Sequence, residues 1–270
     1  MYEFLSRRGS TLNNKIQSEE CKKVSIITVS YNSDKYIKTC IDSVNSQSWP
    51  FLEHVFIDGM SKDSTLSIID NFSRREKIVI SEPDKGIYDA MNKGLMHVTG
   101  DLVGILNSDD ILKSPTIIEN IVKKFEEHNC DAIFGDLEFV DSKNVDKIIR
   151  VWKSSSFIEN SFSKGWHPPH PTLYVKREIY DKYGGFDLNL NVSADFDLML
   201  RFFEKYKIKT KYLEQTIVKM RYGGESTGSL KKIIEGNINV MKSFKNNDIP
   251  VSIFYPFFRI FSKLPQFMKK

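Results

Sequence analysis

At 270 residues, 40% hydrophobic and 27% charged, the chain can bury one large core or two joined lobes, which excludes an extended disordered protein. Lysine and arginine exceed aspartate and glutamate by only 39 to 35, so the composition carries no nucleic-acid signature and nucleic acid is not an expected partner. The three cysteines, Cys21, Cys40 and Cys130, have neither CxxC nor CxxH spacing, which argues against a disulfide framework or a zinc site and for a reducing cytoplasm.

Residues 1–22 are polar and lack periodicity, the pattern of a loosely ordered extension without chemistry. Val24 to Val29 is β-branched and apolar, the first strand, and it runs into Ser30, Tyr31 and Asn32. A helix capped by Asp34 should follow, with Tyr36, Ile37, Cys40, Ile41 and Val44 at helical spacing. His54 to Ile57 is the second strand. It ends in DGMSKDST, Asp58 to Thr65, where a strand-tip carboxylate, a glycine and small polar residues could present donors and acceptors to a nucleoside or form an ordinary turn and cap. Lys77 to Ser81 is the third strand, and a helix follows whose Ile87, Met91, Leu95 and Val98 form an apolar stripe. Asp84, Lys85 and Asn92 are its polar candidates.

The stretch Asp101 to Asp110, DLVGILNSDD, is the centre of the pattern. Leu102, Val103, Ile105 and Leu106 read as a strand covered on both faces, and the run stops at Asn107, Ser108, Asp109 and Asp110. Open parallel sheets bind ligands beyond the carboxyl ends of their strands, so two carboxylates there suit a divalent cation carrying phosphates. The competing reading is a helix cap, but Ser114 and Pro115 make a better helix start and leave both aspartates free. Four strands alternating with helical stretches predict an α/β fold with a doubly wound, mostly parallel sheet.

Pro115 to His128 is an amphipathic helix with Ile117, Ile118, Ile121, Val122 and Phe125 on one side. Ala132 to Val140 and Val145 to Trp152 pair around the turn DSKN, a change of pattern that predicts a second lobe. Gly165 to Thr172, GWHPPHPT, is irregular, with Trp166 and His170 among its candidate functional side chains. A short helix over Arg177 to Tyr183 ends at Gly184 and Gly185, and Asn191 to Phe203 brings Asp195 and Asp197 to the start of another.

Together these segments resemble the family 2 glycosyltransferases with the GT-A fold, from about Val24 to Thr227. The resemblance rests on motifs in order: Thr28 to Asn32 for TxxYN, Asp58 to Thr65 for DGxSxDxT, Asp84 to Gly94 for DxGxYDAxNKG, and Asn107 to Asp110 for the metal motif NSDD. His170 to Arg177, the GGFD turn Gly184 to Asp187 and the segment Ala194 to Arg201 complete it. It implies an inverting, metal-dependent transferase. Thr28, Tyr31 and Asp58 would line the nucleoside pocket with Lys85 and Asn92 nearby. Asp109 would hold Mg²⁺ or Mn²⁺, Asp110 would lie close to the sugar, and Asp195 would be the catalytic base. His170, Trp166 and Arg221 are candidates for acceptor binding or a closing loop. Two positions depart from the family pattern: Asn107 replaces the first aspartate of DxD, and Ala194 replaces a frequent glutamate. A noncatalytic sugar-nucleotide-binding or scaffold subunit and a nucleotidyltransferase are the alternatives.

No apolar run approaches the ~20 residues that span a bilayer, and the first residues lack a signal-peptide core, so membrane contact is expected to be peripheral. Val251 to Lys270, aromatic and basic, could lie in a membrane interface or pack on its own domain. By family analogy the donor is a UDP-sugar and the acceptor a polyprenyl-diphosphate-linked saccharide, at the inner face of a bacterial inner membrane, in O-antigen or capsule assembly. The expected division is extension 1–22, nucleotide-sugar half 23–115, acceptor and base half 116–227, and closing helix with tail 228–270.

Overall fold

A computed structural model describes residues 22–223, 230–256 and 259. The extension expected before Lys22 lies outside the described residues, as does most of the tail after Pro256.

The parallel half forms as the apolar runs dictate. β1 (Val24–Ser30) and β2 (Leu52–Asp58) are buried along their whole length, and β3 (Glu76–Ser81) and β4 (Leu102–Ile105) extend the sheet in the order β3-β2-β1-β4, all parallel. The crossovers are α1 (Ile37–Asn45), α2 (Thr65–Phe72) and α3 (Ile87–His97), whose apolar sides cover the sheet. In α3 the buried set is Ala90, Met91 and Gly94, while Ile87 is exposed, so the core stripe is rotated from the expected one.

The sheet then continues through β8 (Tyr174–Lys176), β6 (Ala132–Val140), β9 (Thr210–Arg221) and the two-residue β5 (Ile111–Leu112), with β7 (Ile148–Trp152) paired to β6. β8, β7 and β5 run against their neighbours, and β6 and β9 run parallel, so six of the nine strands point the same way. The sheet is therefore mixed but mostly parallel, and it is continuous. β9 and β8 are absent from the sequence reading. β9 is half-buried and mixes lysine, glutamate, glutamine and threonine with apolar residues, and β8 has three residues, so neither shows an apolar run.

Helices α4 (Ile117–His128), α5 (Arg177–Tyr183), α6 (Ala194–Leu200) and α7 (Leu230–Asn246) complete the layers, and α6 runs on into a π-helical turn, Arg201–Lys205. Two expected caps are corrected. Asp34 does not cap α1, because Ser33 carbonyl accepts the first helical amides at 3.1 and 3.0 Å and the Asp34 amide instead donates to Asp63 Oδ2 at 3.1 Å. Ser114 and Pro115 precede α4 by a turn, with Thr116 at the cap; Gln47 Nε2 donates to the Ser114 carbonyl and its Oε1 accepts the Ile118 amide at 3.1 Å.

Candidate functional site

In the parallel half every strand ends at one edge, and the register sets Ser30, Asp58 and Ser81 side by side at the tips of β1, β2 and β3. Asp58 is fully buried there. Its Oδ1 accepts the Ser30 and Ser61 hydroxyls, and its Oδ2 accepts the Ser61 amide at 2.9 Å and the Ser81 hydroxyl at 2.8 Å. The rest of DGMSKDST is used similarly: the Asn32 amide donates to Ser61 Oγ at 2.8 Å, the Ser33 amide to Thr65 Oγ1 at 2.7 Å, and Asp63 Oδ1 accepts the Thr65 amide at 3.0 Å. These groups bind the neighbouring loop, and Asp58, expected to line the nucleoside pocket, is the knot that ties the strand tips to that loop. Thr28, expected beside it, is buried within β1 with its hydroxyl 2.9 Å from His54 Nε2.

Tyr31 stands above this knot, 64% exposed at the strand tip. A Cβ on Gly59 would lie 3.3 Å from the Tyr31 ring and 2.5 Å from Asp84 Oδ2, so glycine lets these two groups converge over the backbone without displacing Asp84. Tyr31, Gly59 and Asp84 thus form an open recess with an aromatic wall and a carboxylate. Lys85 is exposed at its rim, where its amide donates to Asp89 Oδ2 at 2.9 Å.

Just past β4, the Asn107–Asp110 turn lies against the same loop, with Ser108 Oγ donating to Ser33 Oγ at 2.9 Å. Asp110 is fully buried. Its Oδ2 accepts Asn107 Nδ2 at 2.9 Å, whereas Asp110 Oδ1 and Asn107 Oδ1 are buried without a partner. Burial pushes the Asp110 carboxyl well above the usual range and the neighbouring Asp109 charge adds to it, against the pull of Asn107 and Arg221. Burial raises Asp109 too, with Arg221 opposing. Arg221, at the end of β9, is buried over the Tyr36 ring and donates to Thr39 Oγ1 at 2.9 Å and the Ser142 carbonyl at 3.1 Å. Two crowded carboxylates and an unpaired amide oxygen are hard-oxygen donors that fit a divalent cation. Among the described residues no cluster of three or more His, Cys, Asp or Glu forms, so the remaining ligands would have to come from water and a bound diphosphate.

The second set of functional side chains meets where α3 faces α6. Tyr88 Oη donates to Asp195 Oδ1 at 3.1 Å and its ring stacks on Phe186 at 5.6 Å. Burial, then the Asp195 charge, drives the Tyr88 hydroxyl pKa up, so it stays a donor. His170 is buried against Phe186; burial lowers its pKa and the Asp195 charge opposes that. Because β8 pairs with β4 antiparallel, Gly104 opposite Tyr174, the turn His170–Thr172 lies at the same edge as Asp109. Tyr88 escaped the sequence reading, although it sits within the matched DKGIYDAMNKG segment off the apolar stripe.

Asn92, expected near the nucleoside pocket, is bonded to the GGFD turn. Its Nδ2 donates to the Phe186 carbonyl at 2.9 Å and its Oδ1 accepts the Phe186 amide at 2.8 Å, and a Cβ at Gly185 would collide with that oxygen. It fixes the GGFD turn on α3. Asp197 is also committed: Arg201 Nε donates to Oδ2 at 2.9 Å, Asn247 Nδ2 donates to Oδ1 at 2.9 Å, and Arg201 also donates to the Tyr183 and Gly185 carbonyls. Trp166, a candidate for acceptor contact, is half-buried among Phe134, Phe157, Phe162 and Phe203, and its Nε1 donates to Ser155 Oγ at 3.0 Å.

Residues 25–184 match the model of the family described as Glycosyl transferase family 2, which is more than half of the chain. The chain belongs to this family. Relatives agree: a Mycobacterium tuberculosis glycosyltransferase is 30% identical over 183 residues, covering 66% of this chain and 68% of its own length. A PGL/p-HBAD biosynthesis glycosyltransferase of Mycobacterium bovis is 28% identical over 213 residues, 77% of this chain and 80% of that one. S. aureus TarS in complex with UDP-GlcNAc superposes with a TM-score of 0.65 at 18% identity, over 84% of this chain and 68% of that one. The mannosyltransferase PcManGT of Pyrobaculum calidifontis, in complex with GDP-Man and Mn²⁺, gives 0.61 at 19% identity, over 90% and 70%. The fold of this chain is therefore the GT-A fold.

Proposed function

We propose that this family 2 glycosyl transferase moves a hexose or N-acetylhexosamine from a UDP-sugar, with inversion, onto a saccharide carried on polyprenyl diphosphate. The setting in this reading is the inner face of a bacterial inner membrane, in assembly of a surface polysaccharide such as O-antigen or capsule. The observation that carries it is the placement of two carboxylate sets at one edge of the sheet: Asp109 beside the under-satisfied Asp110, and Asp195 held by Tyr88. The UDP-GlcNAc bound by TarS supports the donor class, and the Mn²⁺ bound by PcManGT supports a divalent cation.

Tyr31 would stack on the base, and the Gly59 backbone would let the nucleoside approach. Asp109, with Asp110 beside it, would hold Mg²⁺ or Mn²⁺, which when bound neutralises the diphosphate and makes it a better leaving group. Arg221 adds a second positive charge near the same carboxylates. Asp195 would take the proton from an acceptor hydroxyl as its oxygen attacks the anomeric carbon and the bond to the diphosphate breaks. Tyr88 keeps the carboxylate oriented, and Asp197 cannot share the task because both its oxygens are engaged.

The test is a panel of nucleotide sugars with membrane extract as acceptor, following release of nucleoside diphosphate together with sugar transfer. Wild type should use a UDP-sugar, and Asp195→Asn should lower transfer by about 10²–10⁴-fold with donor affinity nearly unchanged. Undiminished transfer by Asp195→Asn removes it from the base role, and tight donor binding without any transfer by wild type favours a noncatalytic subunit.

A further inference from the structure

The helix that backs the base carries a second face that the fold does not use. α7 buries Val240 and Phe244 against α6, where Phe244 meets Phe196 at 5.6 Å between ring centroids, and Asn239 Nδ2 donates to the Val192 carbonyl at 3.0 Å. On the opposite side Ile234, Ile238, Met241, Lys242 and Lys245 share helical spacing and line a groove of about 600 Å³, closed by Ile249, Val251 and Pro256. Ile234 and Ile238 are 60% and 51% exposed, and just beyond the groove Ile253 and Phe254 are 79% and 59% exposed. Tyr255, between Phe254 and Pro256, turns the other way into the core, 5.0 Å from Phe244. The start of the tail is thus pinned to the domain while its neighbours point outward.

Charge identifies the occupant. Residues 230–270 contain eight basic side chains and two acidic ones, Glu235 and Asp248, a net of +6 in a chain whose total is +4. The remaining residues are therefore net negative by two, so the positive charge is gathered on α7 and the C-terminal segment after it. The groove itself is lined by two lysines and no acidic residue. A protein partner would need only a complementary patch, but a long helix with aliphatic side chains bracketed by lysines fits a lipid surface, where the aliphatics enter the acyl boundary and the ammonium groups meet anionic headgroups.

We infer that the outward face of α7, with Ile253 and Phe254, is the surface by which this chain docks on an anionic lipid bilayer. The inference rests on the membrane setting of the proposed function and assigns that contact to the α7 face. Docking there sets Asp195 one helix away from the lipid, because α6 carries it and α7 packs on α6. A lipid-linked acceptor would then reach the base without leaving the bilayer.

The test is co-sedimentation of the full chain with vesicles of phosphatidylcholine alone and of phosphatidylcholine with phosphatidylglycerol, alongside size-exclusion chromatography and donor binding. Wild type should pellet with the anionic vesicles and be released by salt. Ile234→Asp and Ile238→Asp, both on exposed positions, should each lower vesicle binding by about tenfold or more, and Lys242→Gln with Lys245→Gln by about fivefold per lysine on anionic vesicles only. Donor binding should be unchanged in all of them. If wild type pellets and the isoleucine variants pellet equally, the α7 assignment fails while the membrane setting stands. If wild type binds neither vesicle, both fail, and the donor-binding arm still reports on the sugar-nucleotide site. Conversion of a wild-type dimer to a monomer by Ile238→Asp would show that a second copy covers the face, which overturns the inference.

Discussion

Asp58 and Asp110 are both fully buried aspartates at the tips of strands that flank β1, yet their surroundings are opposite. Asp58 accepts from three hydroxyls and an amide, and this is how a buried carboxylate becomes part of the architecture. Asp110 accepts at Oδ2 from Asn107, leaves Oδ1 bare, and lies beside a second carboxylate that raises its pKa. Burial alone does not distinguish them; satisfaction does. The same contrast separates Asp197, held by Arg201 and Asn247, from Asp195, which accepts from the Tyr88 hydroxyl. A carboxylate with its acceptors filled holds the fold, and one kept short of donors is poised for something that arrives.

If that contrast is sound, the satisfied residues should matter to stability first. Asp58→Ala leaves three hydroxyls and an amide without their acceptor, and urea unfolding should show a loss on the order of 3 kcal/mol. Near-wild-type stability would mean that the strand-tip knot is not holding the loops. Asp197→Asn weakens the hold on Arg201, for which a loss of about 2 kcal/mol is expected in the same measurement, with transfer reduced far less than by Asp195→Asn. Should it abolish transfer while the fold stays intact, the base has been assigned two residues too early. Tyr88→Phe keeps the stack on Phe186 and removes the hydrogen bond to Asp195, so stability should fall by about 1 kcal/mol, and the transfer rate, not donor affinity, should fall.

Asp110→Asn should move in the other direction. A carboxyl whose folded pKa is raised contributes stability that is present at low pH and lost as pH rises through the raised value. The metal-free protein therefore loses stability on going from the ordinary carboxylate range towards neutrality, and Asp110→Asn removes that loss. Thermal unfolding at neutral pH should show the variant melting higher by roughly 2–4 °C per kcal/mol gained, with the difference vanishing at acid pH. A lower melting temperature at neutral pH would show that the Asp110 charge is satisfied after all.

The parallel half was legible because strands buried on both faces are mostly apolar, as β1, with its Val and Ile residues, and the run before Asn107 are. The positions of Asp109, Asp110 and Asp195 came from motif order. What the letters hide is direction. Asp58, Thr28 and Asn92 are the residue types that bind ligands, but the same donors and acceptors bind a neighbouring loop or turn equally well, and only the packed chain shows which. Trp166 was hidden by its loop, since the nearby Phe157 and Phe162 and the distant Phe134 and Phe203 gather around it. Tyr88 stood inside a matched motif, but its contact with Asp195 spans 107 residues of sequence and leaves no local pattern. β9 was hidden by its polar residues, because a half-buried strand keeps Lys, Glu, Gln and Thr among its apolar side chains.

The claim that Asp110 is left unsatisfied because a cation completes it together with Asp109 is tested most directly by titrating Mn²⁺, monitored by electron paramagnetic resonance, into the full chain with UDP present. Wild type should bind Mn²⁺ with an affinity that falls as pH is lowered through the raised carboxyl range, because protons compete for the same oxygens. Asp109→Ala and Asp110→Asn should each weaken binding at least roughly tenfold, without loss of folded protein. Mn²⁺ binding that is unchanged in both variants and insensitive to pH would contradict the account.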